Sequence, residues 1–158
     1  MRCTKEQRTE SKTTEDKTTE DSWQTHEFGD FGRRVSAKRF SDLVAWQKAM
    51  NLVEEVYKVT KQFPREETYG LVSQLRRAAV SVPSNIAEGH GRTGAREFNR
   101  CLSIAHGSLC EVETQMEIAR PLGYVNNEQH DRISVLACET GKIMNGLMNA
   151  LERHAAAN

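Results

Sequence analysis

The chain has no run approaching the roughly 18 consecutive apolar residues that a membrane-crossing helix needs. Its opening stretch, MRCTKEQRTESKTTEDKTTED, holds no apolar segment that could act as a secretory signal. Neither sign of charge prevails, since 22 Lys and Arg face 22 Asp and Glu. A globally basic nucleic-acid binder is thereby excluded, although a local basic patch is not. Cys3, Cys101, Cys110 and Cys138 form no C-x-x-C pair and fit no zinc spacing. Three of them fall in helical patterns, where a free thiol acts as a small apolar group, so a reducing cytoplasmic setting is expected. Apolar residues make up only 37% and aromatics 6%, leaner than an average domain, so part of the chain is expected not to fold.

That part is residues 1–39, where charges of both signs alternate with Thr, Ser and Gln. Only Trp23, Phe28, Phe31 and Val35 offer much to bury, too little to offset the entropy of ordering the backbone. A solvated, disordered tail is the plain expectation. Two sharper readings stay open: Trp23 to Phe31 as a docking peptide, and Arg33, Arg34, Lys38 and Arg39 as contacts to a polyanion.

From Phe40 the pattern changes to a period near 3.6, and residues 40–152 read as one domain of four helices. In the first, Leu43, Trp46, Met50, Val53 and Tyr57 form a stripe, with Ser41 as cap, Asp42 in the first turn, and an end at Gln62 or Phe63 before Pro64. The second runs from about Arg65 to Glu88 on Leu71, Leu75, Ala78, Val82 and Ile86. Pro83 removes one backbone donor there and predicts a kink or a break, supported by Ser81 or Ser84. Gly89, Gly91 and Gly94 mark the following turn. The third helix, with Thr93 as cap, carries Phe98, Leu102, Ala105, Leu109, Val112, Met116 and Ala119, and stops at Pro121 and Gly123. The fourth starts with Asn126 and Gln129 as a capping box, and Ile133, Leu136, Thr140, Ile143 and Leu147 carry it to about Leu151. No segment alternates with period two. The fold expected is all-α, an antiparallel up-down-up-down four-helix bundle behind a disordered N-terminal tail.

Catalytic chemistry finds little footing. A di-iron bundle needs Glu-x-x-His twice, and no Glu here has a His three residues on; no metal and no cofactor are expected. Cys110 shares a helix face with His106, an arrangement explained more simply as coincidence than as a nucleophile with its base. Gly-His-Gly-Arg at 89–92 precedes a helix but lacks the strand and lysine of a phosphate-binding loop. The chain reads as a non-enzyme.

Charge distribution says more. Arg76, Arg77, Arg92, Arg96 and Arg100 crowd the second and third helices, and the last three repeat every four residues on one face. All are Arg, whose fork suits phosphate or carboxylate. Glu111, Glu113 and Glu117 follow, so one end of the bundle is expected to be basic and the other acidic. The arginines then serve as contacts to an RNA or DNA backbone, or as members of salt bridges within or between subunits.

The blocks Ser73-Gln74-Leu75-Arg76-Arg77-Ala78-Ala79, Ser81-Val82-Pro83-Ser84-Asn85-Ile86-Ala87-Glu88-Gly89, and Leu102-Ser103-Ile104-Ala105 with Gly107-Ser108-Leu109 and Glu111 resemble the bacterial four-helix bundle proteins of the 23S rRNA intervening-sequence family. The resemblance spans about residues 40–151 and leaves the tail without a counterpart. It implies a small cytoplasmic bacterial protein that assembles as a homopentamer. A related branch of retroelement accessory proteins implies nucleic acid and a reverse transcriptase as partners. One departure is His106, where the family commonly has Arg. A structural role is expected for the recurring residues. Asn85 and Glu88 would satisfy backbone groups freed by Pro83, and Gly107 and Ser108 would let helices approach closely. The alternative to nucleic-acid association is a protein-binding assembly module whose arginines form intersubunit salt bridges.

Overall fold

A computed structural model describes residues 37–156. The expectations for the tail before Ala37, including the docking peptide and Arg33 and Arg34, lie outside the described residues. A 3₁₀ turn at Phe40–Asp42 leads into α1 (Val44–Thr60), and a second 3₁₀ turn at Arg65–Thr68 leads into α2 (Leu71–Gly91). Helices α3 (Ala95–Ala119) and α4 (Asn127–Ala156) complete the chain. Among the described residues there is no strand. Each helix packs against two neighbours, α1–α2, α2–α3, α3–α4 and α4–α1, the closed square of an up-down-up-down bundle. The α2–α3 pair is the most intimate.

Most of the expected stripes are the core. All seven positions named on α3 are buried, as are Leu75, Ala78, Val82 and Ile86 on α2. On α1 the stripe is displaced by one position. Ala45, Ala49, Leu52, Val56 and Val59 are buried, whereas Trp46, Met50 and Val53 are half-buried and Tyr57 is exposed. Because α1 faces both α2 and α4, Ala45, Ala49, Leu52 and Val56 sit at the centre of the contact and Trp46, Met50 and Val53 flank it. On α4 the same shift puts Ala137 and Met144 in the core and leaves Leu136 and Ile143 on its border.

Several helix ends depart from expectation. Ser41 does not cap α1; it lies in the 3₁₀ turn, and its carbonyl accepts from Gln47 Nε2 at 3.0 Å. Asp42 accepts from the Arg39 N–H at 3.2 Å, ahead of the helix it was expected to enter. The chain from Arg65 turns once in 3₁₀ form before α2 begins at Leu71, because Glu67 folds forward to cap it. Its Oε2 accepts from the Leu71 N–H at 2.9 Å while Oε1 accepts from Tyr124 Oη at 3.3 Å. Burial, and then the Glu67 charge, push the Tyr124 phenol above its ordinary range. Gly94, not Thr93, precedes α3, with a φ of 110° that a side chain would strain. After α3, Gly123 N–H donates to Arg120 O at 3.0 Å and Tyr124 N–H to Ala119 O at 3.1 Å, the paired bonds of a Schellman motif around a left-handed Gly123. The capping box at α4 forms as expected, with Asn126 N–H to Gln129 Oε1 at 3.0 Å and Gln129 N–H to Asn126 Oδ1 at 2.8 Å.

Pro83 does not divide α2, which is continuous from Leu71 to Gly91 and buries the proline. Beside it Ser84 Oγ donates to Val80 O and Asn85 Nδ2 to Ser81 O, both at 2.8 Å. These side chains bind carbonyls four residues back, and so hold the turn that the missing donor weakens.

Across the bundle, Lys48 meets Glu139 at 2.7 Å and Arg132 meets Glu55 at 3.5 Å. The Lys58 ammonium, hydrogen-bonded to Glu55, and then Arg132 hold the Glu55 carboxyl below its ordinary range. A lowered folded-state value means stability that is present above the unfolded carboxylate pKa and lost as pH falls through the folded one. Wild type and Glu55→Gln should therefore differ in urea midpoint near neutrality and converge in acid. A difference that persists undiminished as the solution is taken into strong acid would show that the effect is not ionic.

Candidate nucleic-acid interface

The five arginines do not gather at one pole. Arg76 and Arg92 are separated along α2 by about 24 Å at roughly 1.5 Å rise per residue. Since α3 runs antiparallel, Arg92, Arg96 and Arg100 cluster about the α2–α3 turn, and Arg76 and Arg77 lie toward the opposite end. The expected basic end is thus built by three of the five. The spacing in sequence between Arg77 and Arg92 is most of a helix length, and this is what the crowding in the linear chain concealed.

Their local surroundings differ as well. Arg76 is half-buried and braces α1 to α2: its Nε donates to Thr60 Oγ1 at 2.8 Å and its guanidinium lies 4.8 Å above the Tyr57 ring. It is occupied within the fold. Arg92 pairs with Glu88 one turn earlier, and that hydrogen bond raises the guanidinium further above its ordinary value. Glu88 therefore serves Arg92, not the backbone near Pro83. Arg77, Arg96 and Arg100 are exposed and have no hydrogen bond or ion pair among the described residues. Glu111 is likewise exposed and unpaired among them.

Two further basic residues join the turn. His90, the last but one residue of α2, places Nε2 3.1 Å from the Ala37 carbonyl. Lys38 and Arg39, both exposed, follow directly. In the sequence they fall in the tail, and nothing in the linear chain links them to α2. The turn also carries acids. Glu97 is exposed, and Glu152 accepts from Asn99 Nδ2 at 3.1 Å.

The remaining expected motif residues sort by depth. Gly89 is not a turn residue; it is buried inside α2, where an added Cβ would lie 2.5 Å from Phe98 Cδ2 and 2.8 Å from Cys101 Cβ. Gly107 allows no close approach, since a Cβ added there would have no atom of another helix within 4 Å. Ser108 does cross to α2, its Oγ 2.8 Å from Ser81 Oγ, which in turn accepts from Asn85 Nδ2 at 3.0 Å. This Ser81–Asn85–Ser108 network satisfies polar groups at the tightest helix pair. Cys101 is buried as a small apolar group, but Cys110 and Cys138 are exposed. Cys110 Sγ lies 3.8 Å from His106 Nδ1 on one open helix face. His130, 5% exposed, sets Nε2 3.0 Å from Glu117 Oε1 and ties α4 to α3, a link no sequence pattern signalled. Among the described residues no three His, Cys, Asp or Glu side chains come together to hold a metal, and no helix is long and apolar enough to cross a membrane.

The class defined by these features is a four-helix bundle with Arg92, Arg96 and Arg100 grouped about the turn between its second and third helices. Residues 41–146 match the family described as 23S rRNA-intervening sequence protein, and the chain belongs to that family. No curated protein matches the chain.

Proposed function

We propose that the chain is a non-enzymatic, cytoplasmic accessory bundle that binds a nucleic-acid backbone at the α2–α3 turn and works as a homo-oligomer. The observation that carries the reading is the pair Arg96 and Arg100, one turn apart on α3, exposed and without a partner among the described residues. A guanidinium that no carboxylate of its own chain engages is available to a phosphate. Arg92 adds a third fork on the same side, already steadied by Glu88. Family membership is consistent with this reading, since the family takes its description from an intervening sequence of ribosomal RNA.

Self-assembly has its own support. Val80 on α2 and Ile104 and Ile118 on α3 are 39%, 50% and 46% exposed, and a Cβ added at Gly107 would meet nothing within 4 Å. Apolar groups in this number on two adjacent helices suit contact with further copies, the pentamer being what the family resemblance implies. The assembly reading would instead use Arg92, Arg96 and Arg100 for intersubunit salt bridges.

Binding of the full chain to duplex RNA, followed by fluorescence anisotropy from about 50 to 200 mM salt, tests the proposal. Affinity should fall steeply as salt rises. Affinity that is unmeasurable at the lowest salt would overturn it. Light scattering on the same sample should give a multiple of the 17.9 kDa chain mass, and a monomer would overturn the homo-oligomer.

A further inference from the structure

We propose that Ala37–Arg39 forms a fixed arm of the same polyanion surface, and that His90 is the residue that positions it. The inference rests on the reading of the α2–α3 turn given above and extends it to residues outside the helices. A carbonyl oxygen only accepts, so the 3.1 Å contact makes His90 Nε2 the donor to Ala37 O. The imidazole is itself held: it is half-buried and stands edge-on to Phe98, with ring centroids 6.3 Å apart and planes at 88°. Phe98 is only 5% exposed, so the donor is anchored to the core.

On the other side of the contact the arm is pinned as well. Ala37 packs against the core border. Asp42 N–H donates to Arg39 O at 3.0 Å, and the Asp42 carboxylate accepts from the Arg39 N–H. Phe40 meets Trp46 edge-on at 5.4 Å. Lys38 and Arg39 are thus held on both flanks while their side chains stay exposed. His90 is two residues from Arg92, so the clasp brings two more cations to the turn that carries Arg92, Arg96 and Arg100. Asp42 is turned to the Arg39 backbone, Glu88 to Arg92 and Glu152 to Asn99, which leaves Glu97 as the acid at this turn without a partner among the described residues. Fixing the arm in advance lowers the entropy lost when a phosphate is bound.

Two sets of variants and two readouts test this. In His90→Ala, with a locally opened arm, trypsin should cut after Lys38 and Arg39 at least about 10-fold faster than in wild type, read as fragments beginning at Arg39 or Phe40. Duplex RNA affinity should drop about 5-fold with the helical circular-dichroism signal unchanged, and His90→Gln, whose amide can still donate, should restore both. In Lys38→Ala/Arg39→Ala the slope of log affinity against log salt should shrink by about 2. Cleavage in His90→Ala at the wild-type rate overturns the clasp. A Lys38→Ala/Arg39→Ala protein with wild-type affinity and slope overturns the arm, even where binding still depends on Arg96 and Arg100. Wild type without affinity for RNA fails the broader reading first, and that result is distinguishable because the proteolysis comparison does not require RNA.

Discussion

Gly89→Val is expected to destabilise the bundle by roughly 3 kcal/mol, the upper part of the usual cost of overpacking a core. In thermal unfolding this corresponds to a midpoint lower by about 10 °C for a domain of this size. The cause is local. A Cβ on Gly89 would stand 2.5 Å from Phe98 Cδ2 and 2.8 Å from Cys101 Cβ, and both neighbours are buried. The cysteine Cβ is fixed to the α3 backbone and cannot swing aside, so α2 and α3 must separate where they pack most closely. Gly89→Ala should lose less, since a gain of about 1 kcal/mol in helix propensity offsets part of the clash. The control is Gly107→Ala, with nothing within 4 Å, which should raise stability by roughly 0.5–1 kcal/mol. Equal midpoints for wild type and Gly89→Val would mean that the two helices do not meet as described.

Arg92→Ala/Arg96→Ala/Arg100→Ala is expected to weaken duplex RNA binding about 100-fold at low salt, at about 1 kcal/mol for each phosphate contact. The salt slope should fall by about 3, as three fewer counterions are released. The single changes should not be equal. Arg96→Ala and Arg100→Ala remove unpaired cations, whereas Arg92→Ala also frees Glu88 as an exposed acid at the site. Arg76→Ala makes the contrast. Because Arg76 is bound to Thr60 and stacked on Tyr57, its loss should lower the unfolding midpoint and leave the RNA salt slope in place. If the triple change leaves binding intact but turns the assembly into monomers by light scattering, the arginines serve intersubunit salt bridges and the nucleic-acid reading falls.

Legibility of the site in the sequence follows the range of the interactions that make it. The repeat of Arg92, Arg96 and Arg100 is readable because helical periodicity is local, and it places three forks along one side of α3 and the turn before it. Arg76 and Arg77 stand apart from that group, since closeness in sequence does not shorten the rise of the helix between them. Lys38 and Arg39 belong to the turn through a single hydrogen bond that closes between residues 37 and 90, and no pattern within either segment announces it.

The same division runs through the fold. The four amphipathic helices, the Asn126–Gln129 capping box and the stop at Gly123 were determined by the chain alone, because amphipathic period and local hydrogen-bonding options are properties of consecutive residues. Tertiary packing decided the rest. It set the buried face of α1 one position back from the expected stripe, on Ala45, Ala49, Leu52 and Val56, because that is the line the two neighbouring helices together cover. It kept Pro83 inside an unbroken helix, where burial and the Ser84 and Asn85 bonds hold the turn. It also made Gly89 a packing residue instead of a turn residue, since what a glycine is for depends on which atoms of another helix stand where its side chain would be.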